Sequence, residues 1–214
     1  MIRLYHCADA RSFRPLWALE ELGLPYELTV MPFPPRYRAK AFMAVNPLGT
    51  IPALQDGETF MTESSAIVQY LATRYGPSPL AVEVAEPAYG AWLNWLHFGE
   101  ATLTFPQTLV LRYRRFEPGK AEVVADDYAK WFLARLRAVD RALQASDWLC
   151  AGRFTAADIS VGYALLLAAQ LGLDADFTPA TAAYWARLQN RPGFQAAKAS
   201  QLAALSDGAE SFAS

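Results

Sequence analysis

The stretch 46–65, NPLGTIPALQDGETFMTESS, restricts the fold of this chain more than any other part of it. Asp56-Gly57 stands between two short apolar-bearing runs, and Asp-Gly at that spacing is a strong local signal for a tight antiparallel hairpin. The first run opens at Ile51-Pro52. Proline has no N–H to give to a ladder, so Pro52 belongs at a strand start or on a sheet edge. With a cis Ile51-Pro52 bond, the turn directs the N–H and C=O of Ile51 outward, where an extended peptide can dock as an added strand. Directly after the hairpin, Thr62-Glu63-Ser64-Ser65 opens a helical pattern through Ile67, Tyr70, Leu71 and Arg74, with hydroxyl residues where N-caps belong. A helix start attracts a carboxylate through its N–H groups and dipole, while Glu63 beside it attracts an ammonium. Together they suit an α-amino-acid group, although an acid in a first turn also stabilises the helix itself.

Upstream, 2–7 is a short strand candidate, and 12–22 reads as a helix with Leu16, Leu19 and Leu22 on one face, ended by Gly23. A second strand candidate follows at 26–31. Strand, helix and strand make a βαβ unit with parallel strands. Between it and the hairpin lies PFPPRYRAKAFMAV, proline-rich and then weakly helical up to Asn46-Pro47, which reads as a mobile flap. The resulting order, β-α-β, flap, β-β-α, is that of a thioredoxin-like domain. GPSPLAVEVAE, residues 76–86, has no clear period and suits a linker. Beyond it only helical patterns occur, at 89–107, 120–144, 156–171, 180–190 and 193–205, which predicts an all-α bundle. Within it Thr155 and Asp158 are spaced as a capping box, with Phe154 and Ile159 as its hydrophobic staple.

Composition narrows the function class. Nineteen basic against 21 acidic residues give a formal charge of −2, which argues against nucleic acid and anionic membrane surfaces as partners. No charged-then-apolar leader and no long apolar run is seen, so the expectation is a cytoplasmic protein that spans no membrane. Cys7 and Cys150 form no CxxC and imply neither a disulfide framework nor a dithiol pair. His6 and His97 have no partners at metal-ligand spacing, so no metal site is expected.

Strand, Ile-Pro, Asp-Gly hairpin and Glu-Ser at a helix start resemble the glutathione-binding half of the glutathione S-transferases. That family's motifs stand here as NPLGTIPAL and TESSAI, and the similarity extends over essentially the whole chain. The resemblance implies an α/β fold plus an all-α one: a thioredoxin-like N-terminal domain, 1–78, a helical-bundle C-terminal domain, 86–214, and an active cleft between them. It further implies a homodimeric detoxifying transferase that takes glutathione as co-substrate without a metal. Glutathione would lie along Ile51 and Pro52 with its γ-glutamyl group at Glu63 and Ser64. Its thiol would be activated as a thiolate that attacks a small hydrophobic electrophile.

The thiolate needs a donor, and the loop ADARSFRP, 8–15, leads into the first helix with Pro15 in its first turn. Ser12 is the only hydroxyl of that loop, able to donate to the sulfur or to cap the helix. In serine-type members the catalytic serine falls where Ala10 stands, and in cysteine-type bacterial members the cysteine falls where Arg11 stands. This chain departs from both patterns, which makes the guanidinium of Arg11 the alternative donor. Tyr5 offers a phenol from a strand position that suits packing. Cys7 would support thiol exchange through a mixed disulfide, or it is a small buried hydrophobe. Arg36, Arg38 and Lys40 are candidates for the glycine carboxylate of glutathione. Trp92, Trp95 and Phe98 form one aromatic stripe suited to the bundle core or a partner subunit. Phe13, Phe105, Arg112 and Tyr113 are the expected lining of the electrophile pocket. Two readings stand beside conjugation: a non-catalytic binder of glutathione or hydrophobic ligands, and a glutathione-dependent thiol exchange or isomerisation.

Overall fold

In the computed structural model, which describes residues 1–206, the run Ile2–His6 forms β1. Ile2, Leu4 and His6 are buried on one face, and Arg3 is exposed on the other. Helix α1, Phe13–Leu22, is buried without a break from Phe13 to Leu19. It ends where Gly23 turns left-handed at φ 61° and the Gly23 and Leu24 N–H groups close on the carbonyls of Glu20 and Leu19. β2, Tyr26–Val30, runs parallel to β1 in register from Ile2↔Tyr26 to His6↔Val30, so the expected βαβ unit forms. The proline-rich stretch folds into a single turn, α2 at Pro35–Arg38, and a 3-10 turn at Lys40–Ala44. β3, Ala53–Asp56, and β4, Thr59–Met61, then make the hairpin around Asp56-Gly57. The four strands are ordered β2-β1-β3-β4, with β3 antiparallel to both its neighbours. α3, Ser64–Arg74, follows with Glu63 at its N-cap and packs beside α1. Strand order and helix placement are thioredoxin-like.

The second compact unit, Pro79–Leu188, contains helices and no strands among the described residues. α4, Tyr89–His97, and α5, Phe105–Leu111, are joined by a π-helical stretch, Phe98–Thr104, and a second π turn, Arg112–Phe116, follows α5. The helical path therefore runs past the expected end at residue 107. Pro106 has no N–H for the preceding turn, and a wider turn accommodates that loss. Gly99 lies so close to the next layer that a Cβ there would sit 2.7 Å from the Ser160 carbonyl oxygen. The Ser160 hydroxyl donates to the Leu96 carbonyl at 2.6 Å across the same contact. α6, Glu122–Leu143, packs against α5, and α7, Ala156–Gln170, is buried from Ala156 to Ala168. The capping box is present: Thr155 Oγ1 accepts from the Ala157 amide at 3.3 Å, and the Asp158 carboxylate accepts from the Thr155 amide at 2.8 Å. α8, Pro179–Gln189, covers this start of α7 with Tyr184, whose hydroxyl donates to Asp158 at 2.8 Å. The expected linker is part of this unit from Pro79 onward. Arg153 donates to the carbonyls of Pro79 and Ala81 and pairs with Glu86 at 2.9 Å, while Leu80, Ala81 and Val82 are buried.

The last described helix, α9 at Pro192–Ser206, departs from the expected division. Its pattern placed it in the bundle spanning 86–214; it packs instead on α1 and β2, so the first compact unit is Met1–Ser78 joined by α9. The stretch beyond residue 206 lies outside the described residues. Three contacts account for the docking. Phe194 packs edge-on against Phe13 at 5.2 Å and Trp17 at 5.0 Å. Arg191 makes two bonds of 2.7 Å to the Glu21 carboxylate, which also accepts from the Trp17 indole at 2.9 Å. Gly193 allows the approach, since a Cβ there would lie 2.5 Å from the Glu21 side chain. No described helix is long and apolar enough to cross a membrane.

Candidate functional site

Three segments of the first unit converge. The turn from β1 into α1 carries Cys7 and Ala10, and the stretch before β3 carries Ile51; all three share one buried apolar cluster with Met31, Phe42 and Ala53. The third segment is the start of α3, tied to α1 by the Arg14 guanidinium, which is wholly buried and donates to Ser64 Oγ at 3.0 Å. The Ile51-Pro52 bond is cis, and the β1/β3 ladder ends at Tyr5↔Ala53, beside the residue that has no N–H to continue it. Asn46 shapes the approach to that bond. Its amide donates to the Thr50 carbonyl at 2.8 Å, and its Oδ1 accepts from the Leu48 amide at 3.2 Å. Gly49 completes the loop at φ 60°, where a Cβ would stand 2.6 Å from Arg36 Cβ and 2.7 Å from the Met43 sulfur. The conformation and the crowding both select glycine in NPLGT.

At the head of α3, Glu63 occupies the N-cap with its side chain exposed, and Ser64 lies just beneath it, buried. A cationic guanidinium below a helix N-terminus deepens the attraction for a carboxylate, and the exposed Glu63 remains available to an ammonium. Arg14, bonded to Ser64, is the charged side chain of this region that the sequence reading did not single out. Its helical position among apolar neighbours was the signal: an arginine in a first turn where every other residue is core is buried for a reason.

The turn between β1 and α1 is less permissive than its sequence suggests. Ser12 is wholly buried and does not cap α1; its hydroxyl accepts from the Cys7 amide at 3.1 Å and donates to the Cys7 carbonyl at 3.2 Å. The one proton of Ser12 is thus engaged by the Cys7 backbone in this structure. Arg11, half-buried, stands one residue earlier at the same helix start. Cys7 is a buried cluster member whose thiol points at the Pro32 carbonyl, 3.8 Å away, and burial pushes its pKa up to about 12. His6 is wholly buried, and loss of water lowers its pKa to about 4. Tyr5 packs on Phe42 with ring centroids 5.4 Å apart. Arg36, Arg38 and Lys40 are exposed on the flap.

Phe13 is not a lining residue: it is wholly buried between Trp17 and Phe194, because α9 covers the face of α1 that would otherwise be open. Phe105, Arg112 and Tyr113 lie in the second unit. There Phe105 is more than half exposed, Arg112 pairs with Glu117 at 2.8 Å, and the Arg112 guanidinium sits 5.5 Å from the Tyr113 ring centre. Of the aromatic stripe, Trp92 is buried, and Trp95 packs edge-on against Phe98 at 5.0 Å.

Residues 10–74 match the family model of the glutathione S-transferase N-terminal domain. The chain is 31% identical over 175 residues to glutathione S-transferase 3 of Schizosaccharomyces pombe, an alignment covering 74% of this chain and 70% of that protein. Among solved structures, the glutathione transferase of Methylococcus capsulatus matches with a TM-score of 0.84 at 28% identity, over 95% of this chain and 100% of that one. A sphingomonad glutathione S-transferase complexed with glutathione matches with a TM-score of 0.81 at 27% identity, over 92% and 98% of the two chains. A thioredoxin-like unit with its cis-proline strand and α3 start brought together, followed in sequence by a helical unit, defines the architectural class. The chain belongs to the glutathione S-transferase family of enzymes.

Proposed function

We propose that this chain binds glutathione and activates its thiol as a thiolate for attack on a hydrophobic electrophile. The observation that carries the reading is the convergence of the α1 head, Ile51-Pro52 and the α3 start within one unit. Glutathione lies extended along Ile51 and Pro52, pairing with the Ile51 backbone. Its γ-glutamyl carboxylate meets the α3 N-terminus and Ser64, supported from below by Arg14, and its ammonium meets Glu63. The sulfur faces the turn before α1, where the positive charge of Arg11 favours the thiolate over the thiol. Ser12 acts on this arrangement by holding the turn to Cys7. The thiol proton passes to solvent, the sulfur forms its bond to the electrophilic carbon, and the electron pair of the bond that breaks leaves with the displaced group. A cytoplasmic homodimer is the proposed state of the protein.

The buried Cys7 speaks against thiol exchange as the chemistry, because a thiol titrating near 12 supplies almost no thiolate at neutral pH. Calorimetric titration of glutathione into the parent and into Glu63→Gln tests the binding mode. Binding that weakens about tenfold in the variant supports it; equal binding would remove Glu63 from the site.

A further inference from the structure

One side-chain cluster in the first unit is not used by the reading above, and it grips the turn on which that reading depends. Asp9 has φ 51°, a left-handed conformation that Asp enters more readily than most residues but that still needs support. The support comes from α9. Gln201, 1% exposed, accepts from the Asp9 amide at 3.1 Å through Oε1 and donates to Asp9 Oδ1 at 2.5 Å through Nε2. The same Oε1 lies 3.1 Å from His6 Nε2 at the end of β1. One turn earlier on the same face, Lys198 Nζ reaches both Asp9 oxygens, at 2.7 and 2.8 Å. A helix almost 190 residues away in sequence thus reads backbone and side chain of the residue whose φ sets the direction of the chain into Ala10, Arg11 and Ser12.

We propose that α9 is a positioning element of the thiolate site: Lys198 and Gln201 hold Asp9 left-handed and thereby set Arg11 against the glutathione sulfur. This inference rests on the reading of Arg11 given above. Lys198 is itself no catalytic group, since its ammonium is spent on the Asp9 carboxylate. Without the pair Asp9 relaxes toward the right-handed region, and the two residues after it swing with the backbone.

The test compares the parent with Lys198→Met, Gln201→Leu, the conservative Lys198→Arg, and Arg191→Ala. The last removes an anchor of the same helix, to Glu21, that does not touch the turn. Two readouts are taken: the pKa of the thiol of bound glutathione, and hydrogen–deuterium exchange of the 9–12 amides. The expected result is a bound thiol pKa raised by about one unit in Lys198→Met, or about tenfold less thiolate at neutral pH. Protection at 9–12 should fall at least tenfold, Lys198→Arg should restore both, and Arg191→Ala should lose stability while keeping both. Unchanged protection and thiol pKa in Lys198→Met and Gln201→Leu would overturn the proposal, as would equal losses in Arg191→Ala. If the parent's bound thiol titrates like free glutathione, the function reading is what fails, and the exchange comparison still decides whether α9 holds the turn.

Discussion

Replacing Asp158 by alanine should cost about 3 kcal/mol of stability at neutral pH, and the figure follows from the start of α7. The carboxylate is wholly buried and accepts from Thr155 N at 2.8 Å, Thr155 Oγ1 at 3.2 Å, Leu149 N at 3.2 Å and Tyr184 Oη at 2.8 Å. Alanine strands two amides and a phenol in the interior, while the fourth donor, the Thr155 hydroxyl, keeps Cys150 Sγ at 3.7 Å as a partner. A buried donor without a partner costs about 1–3 kcal/mol, so the three together cost roughly 6 kcal/mol at mid-range. Against this stands the expense of burying a carboxylate, which raises its pKa from 3.8 to about 6. At about 1.4 kcal/mol per unit, its removal recovers roughly 3 kcal/mol. The sign with pH is fixed as well. A carboxyl whose folded pKa is raised contributes stability that is fully present below the unfolded value and is lost as pH rises through the folded one. The parent should therefore gain on the variant as pH falls from about 7 to about 4. Urea unfolding followed by circular dichroism at several pH values measures both quantities. A variant within about 0.5 kcal/mol of the parent at neutral pH, or a gap that narrows in acid, would refute the account of this cap.

Gly49→Ala should destabilise the first unit by about 2 kcal/mol and weaken glutathione binding, since φ is 60° and the new Cβ meets Arg36 and Met43; thermal melts and calorimetry check the two effects. His6 runs opposite to Asp158. Its folded pKa is lowered to about 4 from 6.5, so the unfolded chain takes up the proton first and stability falls as pH drops through that window, by on the order of 3 kcal/mol. His6→Asn should flatten that part of the urea profile, and an identical slope in parent and variant would contradict the shift. Cys7, buried with its thiol near 12, should resist iodoacetamide at mildly alkaline pH until the protein is unfolded, as mass spectrometry of the labelled peptide would report.

What could be read from the chain was what neighbouring residues decide together. Asp56-Gly57 declares its hairpin, Pro52 its strand start, and Thr155 with Asp158 their helix cap, because each rule spans a handful of residues. Glu63 and Ser64 at the α3 start were legible for the same reason. The side chains that escaped have distant partners. Arg14 meets Ser64 fifty residues on, and Asp9 meets Lys198 and Gln201 from the far end of the chain. A helical period identifies an apolar face but not what covers it, so the pattern alone points α9 to the bundle and Phe13 to a pocket lining. Ser12 shows a finer ambiguity. A serine ahead of a helix is a fitting cap and a fitting donor, and only the geometry reveals a hydroxyl turned back onto Cys7.

The central claim is that Arg11, at the head of α1, makes glutathione a thiolate, and absorbance of the enzyme-bound thiolate titrated against pH tests it most directly. The parent should ionise glutathione at least about one unit below the free thiol, and Arg11→Ala should lose most of that shift while still binding glutathione. Bound glutathione that ionises like the free thiol in the parent, or an undiminished shift in Arg11→Ala, would contradict it.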